Sequence, residues 1–422
     1  MFSVFRRIVW AASRVQTRRR WGRCAGVAAV MFSSLSAEVV AKPSLLERAA
    51  AVRFEPGQPV PFLDFFCSTE PNYGLTDTTR FIEHVIAHNP HISGFTVRLQ
   101  WRVLHPEKER LEWAALERLI ATAAAADKLL TLSLIPGGAS PPWIYDEGVL
   151  KVGPLRNGAR IITTPLPWDP VYMRLFTADL EALAARYGND PRVFAMTVLG
   201  HNFNYLGEEM HAPAVDALLP FGWMNERVLE NWRYWIETYD RLFPKNKLML
   251  VVSQSYRGAD PLTRRIVRLF EERCTGRGFT QTHQLTGRGE RWAFGPQICH
   301  EFAESLPASH EIFSSLKYIA WRNGGLPMWV FNANRIGRVP LLQMWSRDAE
   351  DPEVAERLRN AWEKYGAVPV SDAEARLRRD GHYIVSTPYL GAGYTPYDLS
   401  RLPPPGYPGH DDPALRDWSP FQ

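Results

Sequence analysis

The stretch Gly94-Phe-Thr-Val-Arg-Leu-Gln-Trp101, continued by Arg-Val-Leu104-His-Pro106 and Leu111-Glu-Trp113, decides the fold. Phe95 to Leu99 is a short run with β-branched residues, the pattern of a buried strand. Trp113, Leu116, Ile120 and Ala123 then recur at helical spacing. Leu129 to Ile135 is a second near-continuous apolar run, and Pro141-Pro142-Trp143 lies just beyond it. Strand, helix and strand within about 40 residues make a βαβ unit, which lays two parallel strands side by side. Polar and aromatic residues gather after each strand, where α/β proteins place their ligands.

Outward from this unit the alternation continues. Pro59 to Phe66 reads as strand one and Thr76 to Ala87 as its helix. Residues 144–169 form a long loop after strand three, and long loops in compact domains are often functional. Pro170 to Tyr187 is helical, with Tyr172, Leu175, Phe176, Leu180 and Leu183 on one face, and Gly188-Asn189-Asp190-Pro191 stops it. Val193 to Leu199, Leu248 to Ser253 and Phe279 to Leu285 read as strands four, five and six, with helices at Met224 to Phe243 and Leu262 to Glu272 between them. Trp292 to Cys299 and Met328 to Phe331 are assigned to strands seven and eight, with helices at Ile312 to Trp321 and Glu353 to Tyr365. Eight strands alternating with helices mean a barrel or a doubly wound sheet. Neither GxGxxG nor GxxxxGK[ST] occurs, which weighs against a nucleotide-binding open sheet.

Trp101, Leu104, Pro106, Leu111 and Trp113 resemble, in order and spacing, a pattern of (β/α)8-barrel glycoside hydrolases. It lies where the substrate-facing loop after strand two enters its helix. The strand end at Pro142-Trp143 and the phrase Ala185-Arg-Tyr-Gly-Asn-Asp-Pro-Arg-Val193 are similar to the same family. The resemblance spans roughly residues 58–365 and points to the large retaining clan of β-galactosidase-like and cellulase-like enzymes. It implies a TIM barrel over 42–365, and the shift to Pro- and Tyr-rich composition marks an irregular extension over 366–422. It also implies a carbohydrate substrate and hydrolysis that needs no cofactor.

Retaining glycoside cleavage needs one carboxylate to attack the sugar and one carboxylic acid to protonate the leaving oxygen, about 5–5.5 Å apart. In the clan the acid/base follows strand four and the nucleophile follows strand seven. After strand four the chain offers Glu208 and Glu209. The clan usually has Asn directly before the acid/base, and here Gly207 and Glu208 stand in that place, so Asn202 or Asn204 would take over its hydrogen-bonding role. Glu209 is preferred, because Glu209-Met-His211-Ala-Pro213 resembles the acid-bearing loop of some divergent relatives. After strand seven, Glu301 is the candidate nucleophile; if Gln297 held the inward position instead, the site would be inert. Arg98 on strand two could orient the nucleophile, and Tyr256 and His283 could hold the catalytic carboxyls. Trp101, Trp143 and Trp329 are candidate sugar platforms, although Trp also packs cores.

The rest of the chain bounds this reading. Among its 422 residues are 15 Trp, and many indoles suit sugar stacking. Seven arginines and no acid lie within 1–37, so a net charge of +4 becomes −3 without them. The basic balance therefore belongs to the N-terminus and says little for nucleic acid. A basic start, a short apolar run from Ala25 to Phe32 and small residues up to Ala41 have the layout of an export signal over 1–41, too short to span a membrane. Cys24, Cys67, Cys274 and Cys299 form no CxxC, and only three fall in the body, which does not describe a disulfide framework. His84, His88 and His91 lie at helical spacing, but Asn89-Pro90 ends that helix, and a solvated helix end is the better reading. There is no GxSxG elbow and no His-x-His after strand one. Two rivals remain: a carbohydrate-binding barrel that has lost a catalytic carboxylate, and a lyase or transglycosylase on the same scaffold.

Overall fold

The structure is a computed structural model, and it describes residues 43–68, 75–157, 160–201, 215–252, 260–285, 294–312 and 325–382. The proposed export segment, Asn202, Asn204, Glu208, Glu209, Tyr256 and the chain after 382 lie outside the described residues. Among the described residues ten strands run in chain order: β1 Phe65–Ser68, β2 Ile92–Gln100, β3 Leu129–Ile135, β4 Lys151–Asn157, β5 Arg160–Pro165, β6 Val193–Thr197, β7 Lys247–Val251, β8 Gly278–Leu285, β9 Ala308–Ile312 and β10 Leu342–Trp345. Eight of them close into a barrel in the order β1-β10-β9-β8-β7-β6-β3-β2, and every neighbouring pair is parallel. Helices cross between most barrel strands, as parallel pairing demands. This is a (β/α)8 barrel.

Alternation along each strand sorts the side chains. Outward residues such as Phe95, Val97, Leu99, Leu130, Leu132, Leu134, Leu248 and Leu250 pack beneath the helices in one large apolar cluster. Inward residues near the strand starts (Phe66, Leu129, Ala195, Met249, Phe279 and Leu341) form a second cluster with Leu45, Ala49, Val52 and Phe54. The helix Leu45–Ala51 opens with a Ser44/Glu47 capping box and closes this apolar floor. Polar inward residues lie nearer the strand ends: Thr96, Arg98, Ser133, Thr197, Gln281, Ser309, Glu311 and Gln343 are all buried. Chemistry is thus confined to the C-terminal mouth, where barrel enzymes hold it.

Strands two to six stand within a few residues of the positions read from sequence, and strand one is shifted to Phe65–Ser68. Strands seven and eight are corrected. Phe294–Glu301 is a helix, and strand seven is Ala308–Ile312. Gly325–Ile336 is likewise a helix, and strand eight is Leu342–Trp345. Pro296 lies within the first misplaced run and Pro327 just before the second, and each sits in the first turn of the helix that forms there. A short apolar run such as Met328 to Phe331 has no period that separates a buried strand from a buried helix. The proposed helix from Ile312 begins on the last residue of β9, and 313–321 lie outside the described residues.

The long loop 144–169 contains the β4–β5 hairpin, antiparallel and outside the barrel. Asp169 ties it down: one carboxylate oxygen accepts from Leu150 N, and the other caps Pro170–Tyr187 by accepting from Val171 N and Tyr172 N. The stretch from 366, expected to be irregular, holds the helix Val370–Arg379, whose Ala373 and Leu377 join the outer core. Among the described residues, no helix is long and apolar enough to cross a membrane.

Candidate active site

Four barrel strands converge on one carboxylate that the sequence reading did not select, Glu311 of β9. It follows Ala308-Ser-His and is 1% exposed. Arg98 reaches from β2 to place Nη2 2.6 Å from Glu311 Oε2, with both side chains almost wholly buried. Gln343, beside it on β10, donates Nε2 to the same oxygen at 3.1 Å. His283 of β8 brings Nε2 to 3.4 Å from that oxygen. No described residue hydrogen-bonds Oε1. A buried carboxylate is costly unless paired and hydrogen-bonded, and Arg98 and Gln343 supply both conditions.

Trp345 ends β10 two residues beyond Gln343 on the same face. It is half-buried, and its Nε1 donates to Ile312 O at 2.7 Å. An indole fixed at the mouth beside a carboxylate suits a sugar face. Sequence reasoning missed Glu311, Gln343 and Trp345 together, because β9 and β10 are four to five residues long and carry polar inward residues. The signal that could have found them is alternation itself: Ser309 and Glu311, like Leu341, Gln343 and Trp345, occur at period two.

The structure separates the other candidates. Arg98 and His283 meet at Glu311. Glu301 does not reach the mouth: it ends the outer helix Phe294–Glu301 and pairs at the surface with Arg264 at 2.7 Å. Gln297 lies on the same helix and not on a strand. Trp329 is fully buried in the helix Gly325–Ile336 and belongs to the core, out of reach of a sugar.

Trp101 is also fully buried. It begins the short helix Trp101–Leu104, and its Nε1 donates to Asp179 of the helix Pro170–Tyr187. His105 places Nδ1 2.6 Å from the same Asp179 oxygen and Nε2 2.8 Å from Lys108 O. Both ring nitrogens face acceptors, an arrangement that favours the protonated ring. Burial alone would lower the His105 pKa, but the bond and charge of Asp179, with the Lys108 carbonyl, hold it above the ordinary value. Half-buried Trp143 donates Nε1 to His105 O at 3.0 Å. Trp101 and Trp143 of the resembling pattern are thus joined, through Asp179 and His105, in a brace between the stretches that follow strands two and three, with the Trp101 ring buried.

A second arrangement braces the chain leaving β6. Gly200 has φ +137°, and a Cβ there would stand 2.2 Å from the Trp235 ring, so only glycine fits. Tyr172 donates its hydroxyl to Gly200 O at 2.8 Å. Next comes His201, fully buried, with Nδ1 2.5 Å from Asn231 Oδ1. That oxygen also accepts from Trp235 Nε1, so His201 donates through Nδ1 and keeps Nε2 as an acceptor. Burial pushes the His201 pKa down to about 4. Trp168 stacks on the ring, with centroids 6.0 Å apart. Beside it a cleft of about 790 Å³ opens, lined by Trp168, Met173, Phe221, Arg227, Glu230 and Asn231 among others. Among the described residues, no group of three or more His, Cys, Asp or Glu side chains could hold a metal ion.

Residues 86–212 match the glycoside hydrolase 42 family model, described as beta-galactosidase. That match covers less than half of the chain, and with eight parallel strands closed into a barrel it supports the class. The chain fits a (β/α)8 glycoside hydrolase. No curated protein matches its sequence. Among solved structures it is similar to the beta-galactosidase of the psychrophilic Marinomonas ef1, at 10% identity and TM-score 0.48, over 76% of this chain and 61% of that one. It is also similar to the beta-galactosidase of Rahnella sp. R3, at 13% identity and TM-score 0.46, over 72% and 58%. A third is the endo-1,4-beta-xylanase of Caldicellulosiruptor owensensis, at 10% identity and TM-score 0.43, over 72% and 88%. The chain thus spans about 60% of the length of those two beta-galactosidases.

Proposed function

We propose that this glycoside hydrolase cleaves β-linked glycosides or polysaccharide with retention, using Glu311 as nucleophile and Glu209 as acid/base. The observation that carries the proposal is the Glu311 carboxylate, held at the barrel mouth by Arg98 and Gln343 through one oxygen. Oε1 attacks the anomeric carbon while Glu209 protonates the glycosidic oxygen, and the C–O bond breaks. A glycosyl ester on Glu311 results. Glu209, now a carboxylate, takes a proton from water, and that water displaces Glu311. Glu208 is the alternative acid/base. Support for this region comes from the family match, which runs through both glutamates to 212. The brace at Gly200 and His201 fixes the point from which that segment departs.

Activated aryl β-galactosides, glucosides and xylosides with added azide test the assignment. Glu311→Ala should lose turnover and regain it with azide as the α-glycosyl azide. Glu209→Ala should be rescued with retention, giving the β-azide. A carbohydrate-binding barrel without catalysis would turn over none of these substrates, before or after substitution. A Glu311→Ala variant with wild-type turnover would remove the proposed nucleophile.

A further inference from the structure

We infer that Gln343 is a positioning residue for the nucleophile, and that Thr96 and Gln281 set which way its amide points. The inference rests on Glu311 being the nucleophile. Gln343 is 1% exposed inside the barrel, and Thr96 and Gln281 are fully buried. Its Oε1 accepts from Thr96 Oγ1 at 3.1 Å and from Gln281 Nε2 at 2.8 Å. Its Nε2 donates to Glu311 Oε2 at 3.1 Å. Four strands, β2, β8, β9 and β10, thus meet through one side-chain amide.

The polarity of the network follows from charge. An ionised carboxylate only accepts hydrogen bonds, so Gln343 must turn its N–H toward Glu311. Its carbonyl oxygen then faces β2 and β8, and both groups there must donate. Thr96 and Gln281 do so, filling both lone pairs of Gln343 Oε1. A flipped amide would set oxygen against the carboxylate and N–H against the Gln281 N–H. The Gln281 Oε1 is buried and makes no hydrogen bond with a described residue, so the donor end of Gln281 is the one put to use. An apolar side chain could fill the same space without that desolvation.

The consequence is geometric. Arg98 and Gln343 both hold Oε2, which restrains the carboxylate and leaves Oε1 without a hydrogen bond to a described residue, as the attacking oxygen requires. Gln343 touches no substrate; it acts through Glu311. Loss of its donor should slow formation of the glycosyl ester while leaving sugar binding largely intact.

The test is steady-state kinetics on an activated aryl β-glycoside, with thermal melts as a folding control. Gln343→Met should lower kcat by about 10–100-fold, with KM changed by less than about threefold, the size expected for a hydrogen bond to a charged group. Thr96→Val has almost the same shape but no donor, and should lower kcat by about three- to tenfold. Thr96→Ser restores the hydroxyl and should restore kcat. Combined with Gln343→Met, Thr96→Val should add no further loss, because the amide it orients is gone. Wild-type kcat in folded Gln343→Met, or in Thr96→Val should the first variant not fold, overturns the inference. So does a full additive loss in the double variant. Glu311→Ala runs alongside: if it keeps turnover, the nucleophile assignment itself is wrong. If it is inactive while Gln343→Met is normal, only the positioning role falls.

Discussion

Arg98 Nη2 lies 2.6 Å from Glu311 Oε2, a buried ion pair across the barrel mouth. Removing one partner of such a pair strands the other charge, at a cost of about 3–5 kcal/mol. Arg98→Met should therefore lower the melting temperature and abolish most turnover. Arg98→Lys keeps charge but not the planar guanidinium, and should fold while losing at least about tenfold in kcat. A melt and a kinetic assay on both variants check this; wild-type rates in Arg98→Lys would mean charge alone suffices.

Glu301→Gln gives the contrasting case. Its partner is the surface residue Arg264, and surface ion pairs contribute about 0–1 kcal/mol. The variant should melt within that margin of wild type and keep its activity. A large loss of kcat would reinstate Glu301 at the site.

Trp101→Phe separates a brace from a sugar platform. The variant loses the indole donor to Asp179, a buried carboxylate. It should be destabilised by about 2 kcal/mol or more, with KM for glycosides unchanged. A raised KM with unchanged stability would put sugar on that ring.

Stability should fall on both sides of neutral pH. Burial holds His310 down to about 3 and His201 to about 4, from an ordinary 6.5. Below pH 6.5 the unfolded chain takes up these protons and the folded chain does not, so stability drops as pH falls toward those values. His105 has the opposite sign: its folded pKa is raised, so its contribution is complete below 6.5 and is lost as pH rises through the folded value. Neither ring nitrogen of His310 hydrogen-bonds a described residue. His310→Leu should therefore cost little near neutrality and flatten the acid arm of a melting-temperature profile. An unchanged acid arm would contradict this.

Much of the barrel is legible in the sequence because β3, β6 and β7 carry few polar residues, and β2 sets apolar Phe95, Val97 and Leu99 in strict alternation. Their strand pattern survives without knowledge of the partner. The seventh and eighth strands fail for a reason tied to function. Glu311 and Gln343 belong to the polar inward layer and interrupt short strands, while Phe294–Glu301 and Gly325–Ile336 are apolar enough to imitate strands. Pro296 and Pro327 stand in the first turns of these helices, where proline is tolerated, and mark helix starts rather than strand interiors. Arg98 and His283 can be chosen from sequence because the strands that carry them stand within a few residues of their sequence-read positions, whereas the strand that carries their common partner Glu311 does not. The family pattern around Trp101 marked the fold through residues that build a brace, which is why it located the barrel better than its chemistry.

The most direct test of the central claim is to trap the covalent intermediate. The protein would be incubated with 2,4-dinitrophenyl 2-deoxy-2-fluoro-β-glycosides of galactose, glucose and xylose, then digested and analysed by peptide mass spectrometry. The account predicts one fluoroglycosyl adduct, on the peptide containing Ser309-His310-Glu311, and none in Glu311→Gln. An adduct on Glu301, or turnover of these substrates' parent glycosides with no adduct at Glu311, would contradict it.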